Sequence, residues 1–175
     1  RTKYAFLIED EDEMAARNGG MLEDVGQLNP GRTSGEYSVM MSLFQYMMGN
    51  TDWSSLEFHN VKLVHVESGQ YYTVPYDFDF AGAVNARYAV PDESLNIRNV
   101  RQRVFRGFCF PQVRQREHWA DFFDEHRQAI TDLYMGFELL DEEDREKALE
   151  YFDEFWEVLA DERKYEREIN RNCRG

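Results

Sequence analysis

Residues 49–79 read GNTDWSSLEFHNVKLVHVESGQYYTVPYDFD. At its centre, Val61 to Val66 and Tyr71 to Val74 are rich in β-branched and aromatic residues, and Glu67-Ser68-Gly69-Gln70 between them has turn chemistry. That pattern predicts a β-hairpin. Two polar motifs flank it. Gly49-Asn50-Thr51-Asp52-Trp53, reaching His59-Asn60, comes before it, and Pro75-Tyr76-Asp77-Phe78-Asp79 comes after. A hairpin brings its two ends together, so these motifs are expected to meet.

Upstream, Tyr4 to Ile8 reads as a buried strand, followed by an acidic run from Glu9 to Glu13 that reads as solvated or as one edge of a cleft. Met14 to Arg17 suggests a short helix stopped at Asn18-Gly19-Gly20, and residues 26–35 read as loop. Ser34 is a candidate N-cap for a helix running to about Met48. Tyr37, Met40, Met41, Phe44, Met47 and Met48 recur in it at helical spacing, which predicts a largely buried helix ended by Gly49.

Downstream, residues 81–91 read as loop. Asn96 to Arg116 holds six arginines and no acid, and Ser94 is a plausible cap for a helix there, broken by Pro111. The cluster reads as a counterweight to the acidic helices, as an anion site, or as a means of orienting the Asp52 loop. Arg103 and Arg106 are expected on one helical face. Trp119, Phe122, Phe123, His126, Ile130 and Leu133 trace a stripe on a further helix. Asp141 and Asp144 open another, whose buried side is Ala148, Leu149, Phe152, Phe155, Trp156 and Leu159. Residues 161–175 read as a charged, fraying end.

The chain has 175 residues, 42% hydrophobic and 15% aromatic, enough for one domain (1–175) with a real core. The net charge of -14 argues against nucleic acid as a partner and suits a soluble protein or one that holds divalent cations. No apolar run approaches a membrane span. The two cysteines, Cys109 and Cys173, lie far apart. They read neither as a disulfide scaffold nor as a CxxC zinc site, and are compatible with a reducing compartment. His59 and His65 sit too far apart along a strand to share zinc, and the expected role of His59 is to hold the loop by a hydrogen bond.

The order Asp52, Asn60, hairpin, Asp77 resembles the catalytic loop and metal motif of the protein-kinase-like superfamily, closest to the HipA-like and CotH-like atypical kinases. Those families pair an Asn-x-Asp loop and a His-Asn step with an Asp-x-Asp motif, here Asn50, Asp52, His59, Asn60 and Asp77-Phe78-Asp79. The resemblance implies an α+β, mainly helical fold: the large (C-terminal) lobe, with a short β-hairpin and a helical bundle. It implies Asp52 as catalytic base, Asn60 and Asp77 as ligands of magnesium or manganese, and Asp79 as a further metal ligand. It makes Tyr4 to Glu9 the hinge strand and turns the backbone of Ile8, Glu9 and Asp10 toward the adenine of ATP. The acceptor, protein or small molecule, is left open.

Two departures stand out. Asp52 and Asn60 are eight positions apart where common kinase loops place them five apart, and Asp-Phe-Asp replaces Asp-Phe-Gly. No glycine-rich loop or phosphate-binding lysine is present, so the chain reads as a fragment lacking the small lobe, inactive alone. A pseudokinase or kinase-shaped interaction module is the second reading. A metal-dependent hydrolase or nuclease using Asp52, Asp77 and Asp79 is the third.

Overall fold

A computed structural model describes residues 8–175. The strand expected from Tyr4 lies outside these residues except at Ile8. Among the described residues, five α-helices and a small three-stranded antiparallel sheet make up an α+β fold. Helix α1 spans Glu11–Arg17 and β1 spans Gly20–Leu22. Helix α2 (Gly35–Met48) leads through a loop to β2 (Val61–Val66) and β3 (Tyr71–Pro75). A long irregular segment then reaches α3 (Arg116–Met135), α4 (Glu142–Ala160) and α5 (Glu162–Tyr165).

The hairpin forms as its sequence predicts, with Val61 opposite Pro75 and His65 opposite Tyr71. Strand β1, which the sequence reading missed, adds to the other edge of β2, with Gly20 opposite Val66 and Leu22 opposite Val64. It is three residues long, too short for a period-2 pattern to declare itself. A Cβ at Gly20 would stand 2.2 Å from the carbonyl oxygen of His65, so this position requires glycine for close approach.

The alternation of β2 gives the sheet two apolar faces. Val64 and Val66 meet Met14 and Ala15 of α1. Val61, from the other face, meets Met41 of α2 and Trp53. Helix α1 begins in the acidic run itself: Asp10 accepts the backbone N–H of Asp12 at 3.0 Å, and Glu11, Asp12 and Glu13 fill the first turn, where the helix dipole favours negative charge. The run is thus a capped helix start rather than a mere solvated stretch.

Ser34 caps α2 as expected, accepting from the N–H of Tyr37 at 3.3 Å, and Gly49 closes it in the left-handed region at φ 64°. The main core lies between α2, α3 and α4, built on Leu43, Tyr46, Phe105, Trp119, Tyr151, Phe152 and Phe155. The stripe on α3 fades toward its end: Trp119 and Phe123 are buried, while His126 is exposed and Leu133 is 69% exposed. On α4 the expected side is buried except for Leu149, which is half-buried, and Tyr151 and Val158 are added.

Three sequence expectations are corrected. Residues 96–110 form turns and extended backbone, not a helix, and only Pro111–Arg114 makes a 3-10 turn. Arg101, Arg103 and Arg106 donate instead to carbonyls far away in sequence, those of Gly82, of Tyr46, Met47 and Tyr151, and of Thr51. Residues 161–175 do not fray: Tyr165 and Ile169 are buried in the core, and the Tyr165 hydroxyl donates to the Val113 carbonyl at 2.7 Å. The cysteines pair. Cys109 and Cys173, 64 positions apart in sequence, form a disulfide with Cα atoms 5.0 Å apart. It is clamped on both sides, by Cys109 N–H to the Arg174 carbonyl and Arg174 N–H to the Gly107 carbonyl, both at 2.9 Å.

Candidate functional site

The site grows from the C-terminus of α2. Gly49 reverses the chain, and Asn50, almost fully buried, follows it. Asn50 works in two directions: its Oδ1 accepts the N–H of Asp52 at 3.0 Å, and its Nδ2 donates to the carbonyl of Asp77 at 3.0 Å. The first bond is an Asx-type turn that sets the direction of Asp52. The second ties the motif before the hairpin to the motif after it.

The unusual spacing between Asp52 and Asn60 has a local explanation. Ser54 and His59 exchange backbone hydrogen bonds of 3.0 and 3.1 Å, which closes residues 54–59 into a small loop of its own. Phe58 (φ 53°) and Asn60 (φ 54°) take left-handed backbone to make it close. Asparagine tolerates this conformation and phenylalanine does so at a cost of roughly 1–2 kcal/mol. The extra residues are thereby looped out, and Asn60 returns to Asp52.

There Asn60 Nδ2 donates to both the carbonyl and the carboxylate Oδ2 of Asp52, at 2.8 and 3.0 Å. His59 Nε2 sits 2.9 Å from Asp52 Oδ1, the loop-holding bond expected of it. Asp52 is therefore gripped at both carboxylate oxygens yet stays partly open to solvent. Because Asn60 spends its NH2 on Asp52, its Oδ1 is left as a free oxygen donor. The N–H of Tyr76 donates to the Asn60 carbonyl at 3.3 Å, so the end of β3 closes on the same residue.

Beyond β3, Asp77 Oδ1 accepts the N–H of Asp79 at 3.2 Å, which leaves its second oxygen uncommitted. Asp79 Oδ2 accepts from the Tyr88 hydroxyl at 3.2 Å, and the neighbouring Asp77 and Asp79 charges add to burial in raising that phenol's pKa, burial being the larger cause. Gly82 N–H then donates to the Gly49 carbonyl and Ala83 N–H to that of Met48, at 3.1 and 2.9 Å. The segment after Asp79 is thus stitched back onto the end of α2.

Asp52 and Asn60 are in direct contact, and the backbone of the Asp77 segment is tied to Asn50 and Asn60. All the uncommitted donors are oxygens, which suits a hard divalent cation. Among the described residues, no group of three His, Cys, Asp or Glu side chains is arranged to hold a metal ion. A cation here would rest on the Asn60 amide oxygen, one or two carboxylates and oxygens from a bound ligand. The side chains of Glu9 and Asp10 are used locally. Asp10 caps α1, Glu9 pairs with Arg17 at 2.7 Å, and Ile8 is exposed. Glu9's partner Arg17 holds its carboxyl below the usual range.

Two arginines complete the frame, and they do so from irregular backbone rather than from one helical face. Arg103 donates to the Tyr46 carbonyl at 3.1 Å and to that of Tyr151, and its guanidinium lies 3.5 Å from the centre of the Tyr151 ring. It serves the orphan carbonyls at the end of α2. Arg106 donates to the carbonyl of Thr51. Burial and the charge of Arg174 weigh against its protonation, and the charges of Asp92, Asp52 and Glu57 offset them. The sequence reading missed Tyr88, Asp92 and Glu93. Asp92 and Glu93 line, with Thr51 and Asp52, a cavity of about 310 Å³. The Pro91-Asp92 step was the available signal, since it marks a turn.

Comparison with family models, with curated proteins and with solved structures found no match. Among the described residues no helix is long and apolar enough to cross a membrane.

Proposed function

We propose that this chain is the large lobe of an atypical kinase-like phosphotransferase and that Asp52 is its catalytic base. One observation carries the reading. A single side chain, Asn60, bridges the carbonyl and carboxylate of Asp52, while the segment that bears Asp77 docks on Asn60 and Asn50. Phosphoryl transfer needs this combination of a positioned base and adjacent oxygen ligands more than it needs covalent chemistry from protein.

Asn60 and Asp77 would hold magnesium or manganese, with Asp79 in support. When bound, the ion would supply positive charge against the phosphates of ATP. Asp52 orients the acceptor hydroxyl and takes its proton. The bond from the acceptor oxygen to the γ-phosphorus forms as the bond to the β–γ bridging oxygen breaks. ADP leaves, and the proton passes from Asp52 to solvent. His59 keeps the carboxylate aimed while the reaction proceeds.

The test is transfer from radiolabelled ATP by the intact parent protein with magnesium. Asp52→Ala and Asp77→Ala are each expected to lower it at least a hundredfold while circular dichroism stays unchanged. Wild-type rates in either variant overturn the assignment. A kinase-shaped module without catalysis is the second reading. It draws on Asp52 being hydrogen-bonded at both oxygens, which leaves less capacity for an acceptor. Calorimetry separates the two, because that module binds Mg-ATP without turnover.

A further inference from the structure

The second half of α3 only grazes the core. Trp119 and Phe123 are the side chains that this helix buries fully, and full burial on α4 begins at Ala148. The tip of the α3–α4 hairpin is nevertheless apolar. Leu133, Tyr134, Phe137 and Leu140 line an open groove of about 280 Å³. Tyr134 roots the groove in the core, its ring edge-on to that of Phe152 at 5.2 Å. Around it Leu133 is 69% exposed and Leu139 83%, with Met135 and Phe137 about half-exposed. Single exposed apolar residues are ordinary, but a contiguous set around a groove marks an interaction surface.

The chain sets a carboxylate next to each wall of the groove. Asp132 precedes Leu133, Glu138 follows Phe137 and Asp141 follows Leu140, and all three are exposed. From Asp132 to Glu146 there are seven acids and one base. That base, Arg145, donates to the Phe137 carbonyl at 3.4 Å. Lys147, just beyond, is paired with Glu143 at 2.6 Å.

This charge selects the occupant. A second copy would bring a surface of the same sign against it, and an anionic membrane would repel it. The groove is also at the lower bound for small-molecule pockets. A helix with apolar side chains at i, i+3, i+4 and i+7, and lysines or arginines on its flanks, answers both the groove and the charge. We propose that the α3–α4 tip docks a basic amphipathic helix of a partner polypeptide. Its apolar side enters the groove at Leu133, Tyr134, Phe137 and Leu140, and its cations pair with Asp132, Glu138 and Asp141. The assignment does not depend on the phosphotransferase reading.

Three synthetic helical peptides of equal length serve as probes. One has leucines on a single face and lysines elsewhere. The second has the same composition with the leucines spread round the helix. The third has leucines on one face and glutamates elsewhere. Binding to this chain is followed by fluorescence anisotropy at physiological salt. The first peptide is expected to bind at least tenfold more tightly than either of the others. Leu133→Ser/Phe137→Ser is expected to weaken it at least tenfold with circular dichroism unchanged. Leu139→Ser, at the most exposed of these positions, is expected to weaken it about threefold. Glu138→Gln/Asp141→Asn is expected to weaken it about fivefold, the scale of two exposed ion pairs. Asp12→Asn/Glu13→Gln removes the same charge from the start of α1 and is expected to change affinity less than twofold. The intact parent protein is expected to bind the first peptide as this chain does.

Equal affinity for the three peptides, no binding at submillimolar concentration, unchanged affinity in both serine variants, or equal losses in the two charge variants overturns the proposal. Failure of the parent to bind also overturns it, since the groove would then be filled already. Sedimentation tests the other occupants. A dimer, or binding to phosphatidylserine vesicles, that Leu133→Ser/Phe137→Ser abolishes would assign the groove to a second copy or to a membrane instead.

Discussion

Arg106 donates a hydrogen bond from its guanidinium to the carbonyl oxygen of Thr51, 55 residues earlier in the chain. This contact holds the peptide that leads into Asp52, in addition to the bonds from Asn50 and Asn60. It also couples the candidate site to the C-terminus, since Arg106 lies one residue before Gly107, whose carbonyl accepts from Arg174 beside the disulfide.

Arg106→Ala leaves the Thr51 carbonyl without its partner and removes a charge that balances Asp52 and Asp92. A loss of about 1–3 kcal/mol in stability is expected from urea denaturation. Arg106→Lys keeps the charge without the planar fork and should recover part of the stability but little of the phosphoryl transfer. Full transfer in the alanine variant would mean that the loop holds its shape without the guanidinium.

The turn at Gly49 is doubly constrained. Its φ is 64°, and a Cβ there would stand 1.8 Å from the Tyr151 hydroxyl, whose oxygen has no hydrogen-bond partner among the described residues. Gly49→Ala is expected to destabilise by on the order of 3 kcal/mol, from overpacking added to backbone strain. Tyr151→Phe removes the clashing oxygen and should be close to neutral alone, since it deletes a buried unpaired group. Combined with Gly49→Ala it should recover part of the loss. Strictly additive effects in thermal melts would count against this packing.

The disulfide closes a large loop and anchors residues 161–175. Cys109→Ser/Cys173→Ser is expected to cost on the order of 4 kcal/mol by the chain-entropy relation for a loop of this size. Thiol titration of protein purified without reductant should find no free cysteine before reduction and two after. Because the bridge adjoins Gly107, the reduced protein should also show faster hydrogen exchange at residues 105–109 than the oxidised one.

Several phenols resist ionisation. Burial pushes Tyr37 up to about 12, with the neighbouring Tyr72 adding to it, and burial likewise raises Tyr46, Tyr134, Tyr151 and Tyr165. In the unfolded chain these groups lose their protons near pH 10. Between pH 10 and 12 the folded state therefore holds more protons than the unfolded one, so stability falls as pH rises. Ultraviolet titration at 295 nm should show a fraction of the ten tyrosines ionising near pH 10 and the rest only as the protein unfolds. A single transition near pH 10 with the fold intact would contradict this burial.

The local signals in the sequence were strong where a few neighbouring residues decide the outcome. Ser34 and Gly49 bound α2 because capping is a short-range exchange of hydrogen bonds. The hairpin from Val61 to Pro75 follows from alternation and a tight turn. The approach of the Tyr76-Asp77 backbone to Asn60 and Asn50 followed from that hairpin, and the looped-out 54–59 segment is one of the two outcomes that the spacing of Asp52 and Asn60 left open. The Arg98–Arg116 stretch was misread for the opposite reason. Arg103 and Arg106 hydrogen-bond to residues 46, 47, 51 and 151, and no window of sequence contains those partners.

The sequence alone determined the α+β class, the burial of α2, most of the buried face of α4, and the order of the two polar motifs, because these depend on periodicity and turn chemistry. On α2 the fully buried apolar residues are Val39, Leu43 and Tyr46 with Met41 and Met47, while the expected Tyr37, Met40, Phe44 and Met48 are half-buried. Tertiary structure decided the rest. It paired Cys109 with Cys173, packed residues 161–175 into the core, added β1 to the sheet and set Asp92 and Glu93 beside Asp52. Each of those contacts joins groups far apart in the chain, and only the collapse of a shared core brings them within bonding distance.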